Sequence, residues 1–442
     1  MEIYVVQPGD TISSIADQFG VTVDEIVREN ELISPFDLTV GQTIVIAYPK
    51  QVHIVQDGDT LVDIAAAYGV TVMQLLRNNP ELTGKSSILP GEIIIISYNT
   101  TESLITNGLS YAYIEEDNLR KTLPNLTFLT VYNYRISTNG EIVTYYDDER
   151  IIRLSKEYGT IPIMMVTTLS LQGEPDLELA YKILISVEYQ EQLIDDMMDI
   201  VKSRGYLGVN LLFNYMNETN QALYKSFTER AANRIRGEGF YLFVTFNLHN
   251  QYTNEIVIDN IDYSSIDHLV DGLIFLQLIW GINYGPPAPI SNISIIRNIV
   301  ENVVTTASPE KIILGSSIIS YDWRLPFIPG KTIANSLTID SSLILARDTD
   351  SIIQFDEISM TPYFYYNRIG FGEVEQHIVW TIDARTINAF GQIVKDYNLA
   401  GTGIWNIMIY YAQLWLVLRA QFDFIKLLPD IYALTSAGPE ES

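Results

Sequence analysis

The sequence contains no cysteine in 442 residues. That excludes disulfides, thiolate metal sites and thiol nucleophiles together, and leaves the redox compartment open. Positive charge is scarce: 27 Lys and Arg stand against 54 Asp and Glu, a formal charge of −27. A nucleic-acid partner is therefore not expected, because phosphate binding needs concentrated Lys and Arg. The same field disfavours anionic membranes, and its plainest consequence is solubility with self-repulsion. No long apolar run is present; the most apolar stretches, such as 407–418, fall short of the roughly 20 residues that span a bilayer. The opening residues, MEIYVVQPGD, lack the basic-then-apolar order of a secretory signal. Synthesis in the cytoplasm is expected, with any outside location reached by another route, such as encasement within a mother cell. The four histidines, His53, His249, His268 and His377, show no ligand spacing, so neither metal nor cofactor is implied.

What is present describes a folded chain, 47% hydrophobic and 18% charged. It is too long for one core and long enough for a large domain with one or two small ones. The first hundred residues are an internal repeat. YVVQPGDTISSIADQFGVTVDEIVREN (4–30) aligns without gaps on HIVQDGDTLVDIAAAYGVTVMQLLRNN (53–79). Gly9, Asp10 and Thr11 match Gly58, Asp59 and Thr60; Gly20 matches Gly69, and Asn30 matches Asn79. Gly41 and Gly91 follow with one inserted residue. Two copies of one small module are implied. Each reads as strand, Gly-Asp-Thr turn, helix, helix, strand. Asp or Thr caps the first helix and Gly20 or Gly69 ends it.

The combination of GD[ST], IA, [FY]G, a central Asn and a final G-Q/E-x-I-x-I resembles the LysM module, at 1–48 and 49–98. The resemblance implies binding of N-acetylglucosamine glycans, either peptidoglycan or chitin. Sugar would lie between two loops of each copy. In the first these are Gly9, Asp10 and Thr11 with Ile33, Ser34 and Pro35. In the second they are Gly58, Asp59 and Thr60 with Leu82, Thr83 and Gly84. Gly9, Gly58, Asp10 and Asp59 have a simpler reading as turn-forming residues. Two adjacent weak modules gain avidity on a polymer.

From about Ser103 apolar strands alternate with helical stretches. LITNGLSYAYI, LTFLTVYNY, TIPIMMVTTL, YLGVNLLFN, YLFVTFNL, GLIFLQLIW, KIILGSSIIS and TGIWNIMIY are the candidate strands. Helical patterns are clearest at 177–203, 219–236 and 383–397. This predicts an α/β fold, a (β/α)8 TIM barrel over 102–430. A small α+β insertion is expected at about 327–382, between strands seven and eight, and a disordered tail over 431–442. The phrases GYLGVN, WGINYGPPAPI, KIILGSSIISYDWRLPF, VWTIDART and GTGIWN, in this order behind paired LysM modules, resemble the spore germination hydrolases of the YaaH/SleL type. Those are members of glycoside hydrolase family 18, the chitinase-like barrels.

The resemblance implies substrate-assisted hydrolysis, in which the sugar's acetamido oxygen attacks and one Glu protonates the leaving oxygen. That Glu ends a D-x-x-D-x-D-x-E pattern on the fourth strand. The frame GYxGVNxxF places Leu207, Asn210, Leu212 and Asn214 at the four acidic positions, with Asn214 at the acid and Leu212 at the acetamido-orienting Asp. The sixth-strand phrase M-T-Y-[DE]-W reads LQLIW, so Leu278 replaces the Tyr and Ile279 the carboxylate. An amide cannot serve as general acid, and leucine cannot orient by hydrogen bonding. A pseudoenzyme is expected. Glu218 and Asp271 are the carboxylates nearest to these strands, and both read more simply as solvent-side residues.

The family's sugar-floor tryptophan matches Trp405, and Trp280, Tyr284, Tyr321, Asp322 and Trp323 also match; Trp405 and Trp323 are equally readable as core packing. The resemblance thus implies a non-catalytic, peptidoglycan- or chitin-binding protein on the bacterial spore, in cortex, coat or exosporium. Its partners would be glycan and, further, other envelope proteins or itself. The alternatives are an active N-acetylglucosaminidase with a relocated acid and a self-assembling surface protein; the 28 tyrosines allow the latter.

Overall fold

The computed structural model describes residues 1–85, 87–169, 176–213, 216–247, 261–276, 284–370 and 373–436. Each LysM repeat folds as its sequence dictates. Strand Glu2–Val5 pairs antiparallel with Thr43–Ile46 across helices Ile12–Phe19 and Val23–Asn30. The second copy pairs Gln51–Ile54 with Ile93–Ser97 across Leu61–Tyr68 and Val72–Asn78. Thr11, Thr22, Thr60 and Thr71 cap the four helices, each hydroxyl accepting the backbone N–H three residues on, a donor the helix leaves unpaired. Gly20 and Gly69 end the first helices in the left-handed conformation. Asn30 and Asn79 do one identical job: each amide bonds the carbonyls of its own helix and of the closing strand, and its oxygen accepts a strand N–H, at 2.8–3.0 Å.

Eight parallel strands close the large domain into a barrel: Glu102–Tyr111, Phe128–Ile136, Ile161–Thr167, Gly208–Phe213, Tyr241–Asn247, Gly272–Leu276, Ile312–Ser317 and Gly401–Trp405. The last pairs with the seventh and with the first, leaving no open edge. Alternate side chains form two cores. One fills the barrel, with Phe128, Ile163, Leu212, Phe243, Ile274 and Trp405 among its members. The other lies between barrel and helices and runs on into the second LysM module through Leu75, Leu76, Ile94 and Ile96.

The structure sharpens three expectations. The insertion starts earlier than 327: strand Ser320–Leu325 is already paired antiparallel with Glu373–Trp380. The five-stranded sheet they belong to also holds Asn335–Leu337, Thr361–Gly370 and Gln354–Asp356, with helix Ile339–Asp348 packed on it. The apolar run KIILGSSIISYDW hides the change of sheet because both halves are buried. The helix over 177–203 is two, Leu177–Ile185 and Val187–Arg204, divided where the Ser186 hydroxyl accepts the Tyr189 N–H and starts the second. The tail expected to be disordered from 431 begins as helix Ile431–Ser436, whose first N–H groups are accepted by buried Asp430.

Candidate functional site

The turns of the LysM repeats are locked from within. Asp10 accepts the Gln7 N–H and the Tyr4 hydroxyl, both at 2.7 Å. Asp59 accepts the Gln56 N–H at 2.8 Å and faces His53 Nε2 at 2.7 Å; these bonds hold its pKa below the ordinary value. Gly9 and Gly58 both take φ near +90°, the region that glycine enters without strain. These four residues build the turn. The second lips of the grooves differ. Ile33 is exposed, and Ser34 accepts an Arg347 guanidinium N–H from the barrel insertion. Leu82 is buried in a short 3-10 turn, followed by part-buried Thr83, whose hydroxyl is buried, and exposed Gly84.

Inside the barrel, the inward positions are apolar, glycine or neutral polar. Leu212 is 6% exposed, in one cluster with Met165, Ile274, Leu276 and Trp405. Leu207, partly buried, belongs to the same cluster. Asn210 is fully buried; its Oδ1 accepts the Thr245 hydroxyl at 2.9 Å, and its Nδ2 has no partner among the described residues. A matching pair, Thr130 to Asn107, lies across the barrel at 2.9 Å. Among the described residues no inward position of the eight strands carries Asp or Glu. Burial pushes the Tyr321 hydroxyl up to about 12, so at neutral pH it stays a protonated hydrogen-bonding group. Asn214, Leu278, Ile279 and Trp280 lie outside the described residues.

The two carboxylates considered as substitutes part company. Asp271 precedes the sixth strand at the barrel's N-terminal end, accepting the Leu242 N–H at 2.8 Å and pairing with Arg236 at 3.2 Å. Glu218 follows the fourth strand on the C-terminal side and is exposed. Barrel chemistry occurs at the C-terminal end, so Asp271 is at the wrong end for it.

The mouth is aromatic. Tyr111 stacks on Tyr113 at 5.3 Å, and Tyr113 meets Tyr146 at 4.8 Å. Tyr111 and Tyr132 pack edge-on to Trp405 at 5.9 and 6.0 Å. Tyr113 and Tyr146 are 50% and 44% exposed and offer faces to solvent. Sequence reasoning missed them, although the phrases YAYI and TYYDD just past the first two strands carried the signal. Tyr284 is exposed. Trp323, with no exposed surface, donates its indole N–H to the Gly285 carbonyl at 2.9 Å, so it offers a ligand no ring face. Asp322 points to the opposite side of its strand, where it accepts the Tyr366 hydroxyl at 2.8 Å and meets His377 Nδ1 at 2.9 Å. Asp322 and Trp323 thus present no surface to the barrel mouth, and Trp405 is 6% exposed within the barrel cluster.

LysM domain models match residues 4–47 and 53–97, and the model for glycosyl hydrolases family 18 matches residues 96–408. The chain belongs to glycosyl hydrolases family 18. It is similar to the cortical fragment-lytic enzyme of Bacillus subtilis (strain 168), 32% identical over 434 residues covering 96% of this chain and 99% of the relative. Among solved structures, the spore cortex-lytic enzyme SleL of Bacillus megaterium QM B1551 matches with a TM-score of 0.77 at 24% identity. SleL of Bacillus cereus matches at 0.76 and 26%; each comparison covers 96% of this chain and 99% of the other. This family 18 barrel has a closed sheet and an aromatic mouth, and its described inward strand positions carry no Asp or Glu.

Proposed function

We propose that this chain is a non-catalytic binder of N-acetylglucosamine-containing glycan, peptidoglycan foremost, in the bacterial spore envelope. The observation that carries this reading is the neutral interior of the barrel. Leu212 is packed into the core at the position where the family resemblance expects the orienting Asp, and the sequence has Asn214 at the acid. Substrate assistance needs a proton donor for the leaving oxygen and a group that holds the acetamide. Leucine supplies neither, and asparagine does not titrate in the working range. Replacing isolated buried carboxylates by Leu and Ile also removes a desolvation cost, which stabilises the barrel.

Glycan binding is supported by the LysM pair and by the exposed tyrosine faces above Trp405, on which a pyranose can stack. The spore assignment rests on the names of two relatives, a cortical fragment-lytic enzyme and the Bacillus cereus spore cortex-lytic enzyme. The test is to incubate the purified chain with cortex muropeptides and a chitooligosaccharide reporter, and in parallel with peptidoglycan sacculi. Binding to sacculi without turnover is expected. Turnover that disappears in Glu218→Gln would overturn the reading in favour of a relocated acid.

A further inference from the structure

An open cleft separates the first LysM module from the barrel insertion. One wall is the 30–43 stretch of the module; the other is helix Ile339–Asp348 with Pro362 and the 381–383 segment. The Gly9–Thr11 turn does not line it, so the space is distinct from the groove between the module's own loops. The 33–37 loop belongs to both. Arg347, 313 positions away in sequence, holds that loop by binding Ser34 and by standing 3.7 Å from Asp37.

The chemistry of the walls selects the ligand. Of the four carboxylates in the lining, Glu31 pairs with Lys121, Asp383 with Arg385 and Asp37 with Arg347, which also meets Asp348; Asp340 adds a negative charge with no cation of its own among the described residues. Phosphates and carboxylates are repelled by that balance. Ile33, Leu343 and Ile344 add apolar wall, suited to an acetamido methyl or a ring face. Asp340, in the first turn of the helix, is half-buried with no hydrogen bond or ion pair among the described residues. Burial, helped by the charge of Glu31, raises its pKa, which marks a carboxyl short of partners.

We propose that this cleft is a second glycan subsite, in which Asp340 accepts a hydrogen bond from a hydroxyl or acetamido N–H of a neutral N-acetylhexosamine unit. The inference rests on the glycan-binding reading above and adds where a second unit sits. A ligand seated there touches both walls, so it ties the first module to the barrel.

The test titrates the full chain with chitotetraose by calorimetry and follows amide exchange in its presence. Protection of residues 339–347 is expected, together with about tenfold weaker binding in Asp340→Ala, which loses the acceptor, and in Leu343→Trp, which fills the space. Parent-like affinity in both variants, with no protection of 339–347, would overturn the subsite and leave the glycan-binding reading standing. Failure of the parent chain to bind both chitotetraose and sacculi overturns both. The exchange measurement needs no variant, so a misfolded substitution cannot obscure the result.

Discussion

The two LysM modules are one sequence pattern in two tertiary settings. Arg28 and Arg77 occupy the same place in the repeat. Arg28 is part-exposed and meets Glu81 at 3.5 Å. Arg77 is buried, gives an N–H to the Phe424 carbonyl at 3.1 Å, pairs with Asp423 at 3.0 Å and lies over the Phe424 ring. Gly41 and Gly91 also correspond, with φ of +90° and +92°. A Cβ on Gly41 would fall 2.0 Å from the Ile353 carbonyl oxygen, whereas one on Gly91 would meet nothing within 4 Å. The second module merges with the main core. The first keeps a core of its own, lends Val45 and Ala47 to the main core, and adds polar contacts, such as Gln413 to the Thr43 carbonyl at 2.7 Å and the Ile353 N–H to Val40 at 3.0 Å. Identical motifs thus set the fold of a module and say nothing of how firmly it is held.

Substitutions at these paired positions break or sharpen that contrast. Arg77→Ala should cost about 3 kcal/mol, the upper end for hydrogen bonds made by a charged group, since buried Arg77 bonds the Phe424 carbonyl and the exposed Asp423; denaturant unfolding of the full chain measures it. Gly41→Ala should cost about 3 kcal/mol through backbone strain and the clash with Ile353, and Gly91→Ala only about 1 kcal/mol through strain alone. Limited proteolysis should then release the first module in Gly41→Ala and not in Gly91→Ala.

Glu29 adds a pH effect that the second module lacks, because Asn78 holds the equivalent place. Burial, partly offset by Arg419 and Arg28, pushes the Glu29 carboxyl from 4.5 to about 7. The folded chain keeps this proton between those values while the unfolded chain releases it. The associated stability is full below pH 4.5 and is lost as pH rises to about 7. Glu29→Gln should remove that slope and stabilise the chain at pH 8 by about 3 kcal/mol, read from melting curves at several pH values. Arg28→Ala should have the smallest effect, under about 1 kcal/mol, as for other part-exposed pairs. If it matched Arg77→Ala, the distinction between the two settings would fail.

Much of the fold was legible in the residues. Thr caps, left-handed glycines and the Asn30 and Asn79 clamps act within a few residues of themselves or within one module, so pattern alone reveals them. The barrel was legible because eight apolar runs recur between helical stretches. The start of the insertion was not, since Ser317 and Ser320 lie in one apolar run and both are buried although they serve different sheets. Of the candidate site, the loss of acidic residue types could be read directly from Leu207, Asn210 and Leu212. The facing of Asp322 could not, because one step along a strand turns a side chain to the other side, and the register comes from pairing with Glu373–Trp380.

By itself, the sequence determined the two repeated modules, the eight-fold alternation and the absence of carboxylates from the described barrel interior, all matters of residue type and local spacing. Tertiary structure alone decided that Arg77 is buried and Arg28 part-exposed, that Trp323 is sealed while Tyr113 and Tyr146 are open, and that Ser34 faces Arg347 across a cleft. Those outcomes depend on which distant segments pack together. Burial and charge pairing belong to the packed chain, and no single stretch of residues carries them.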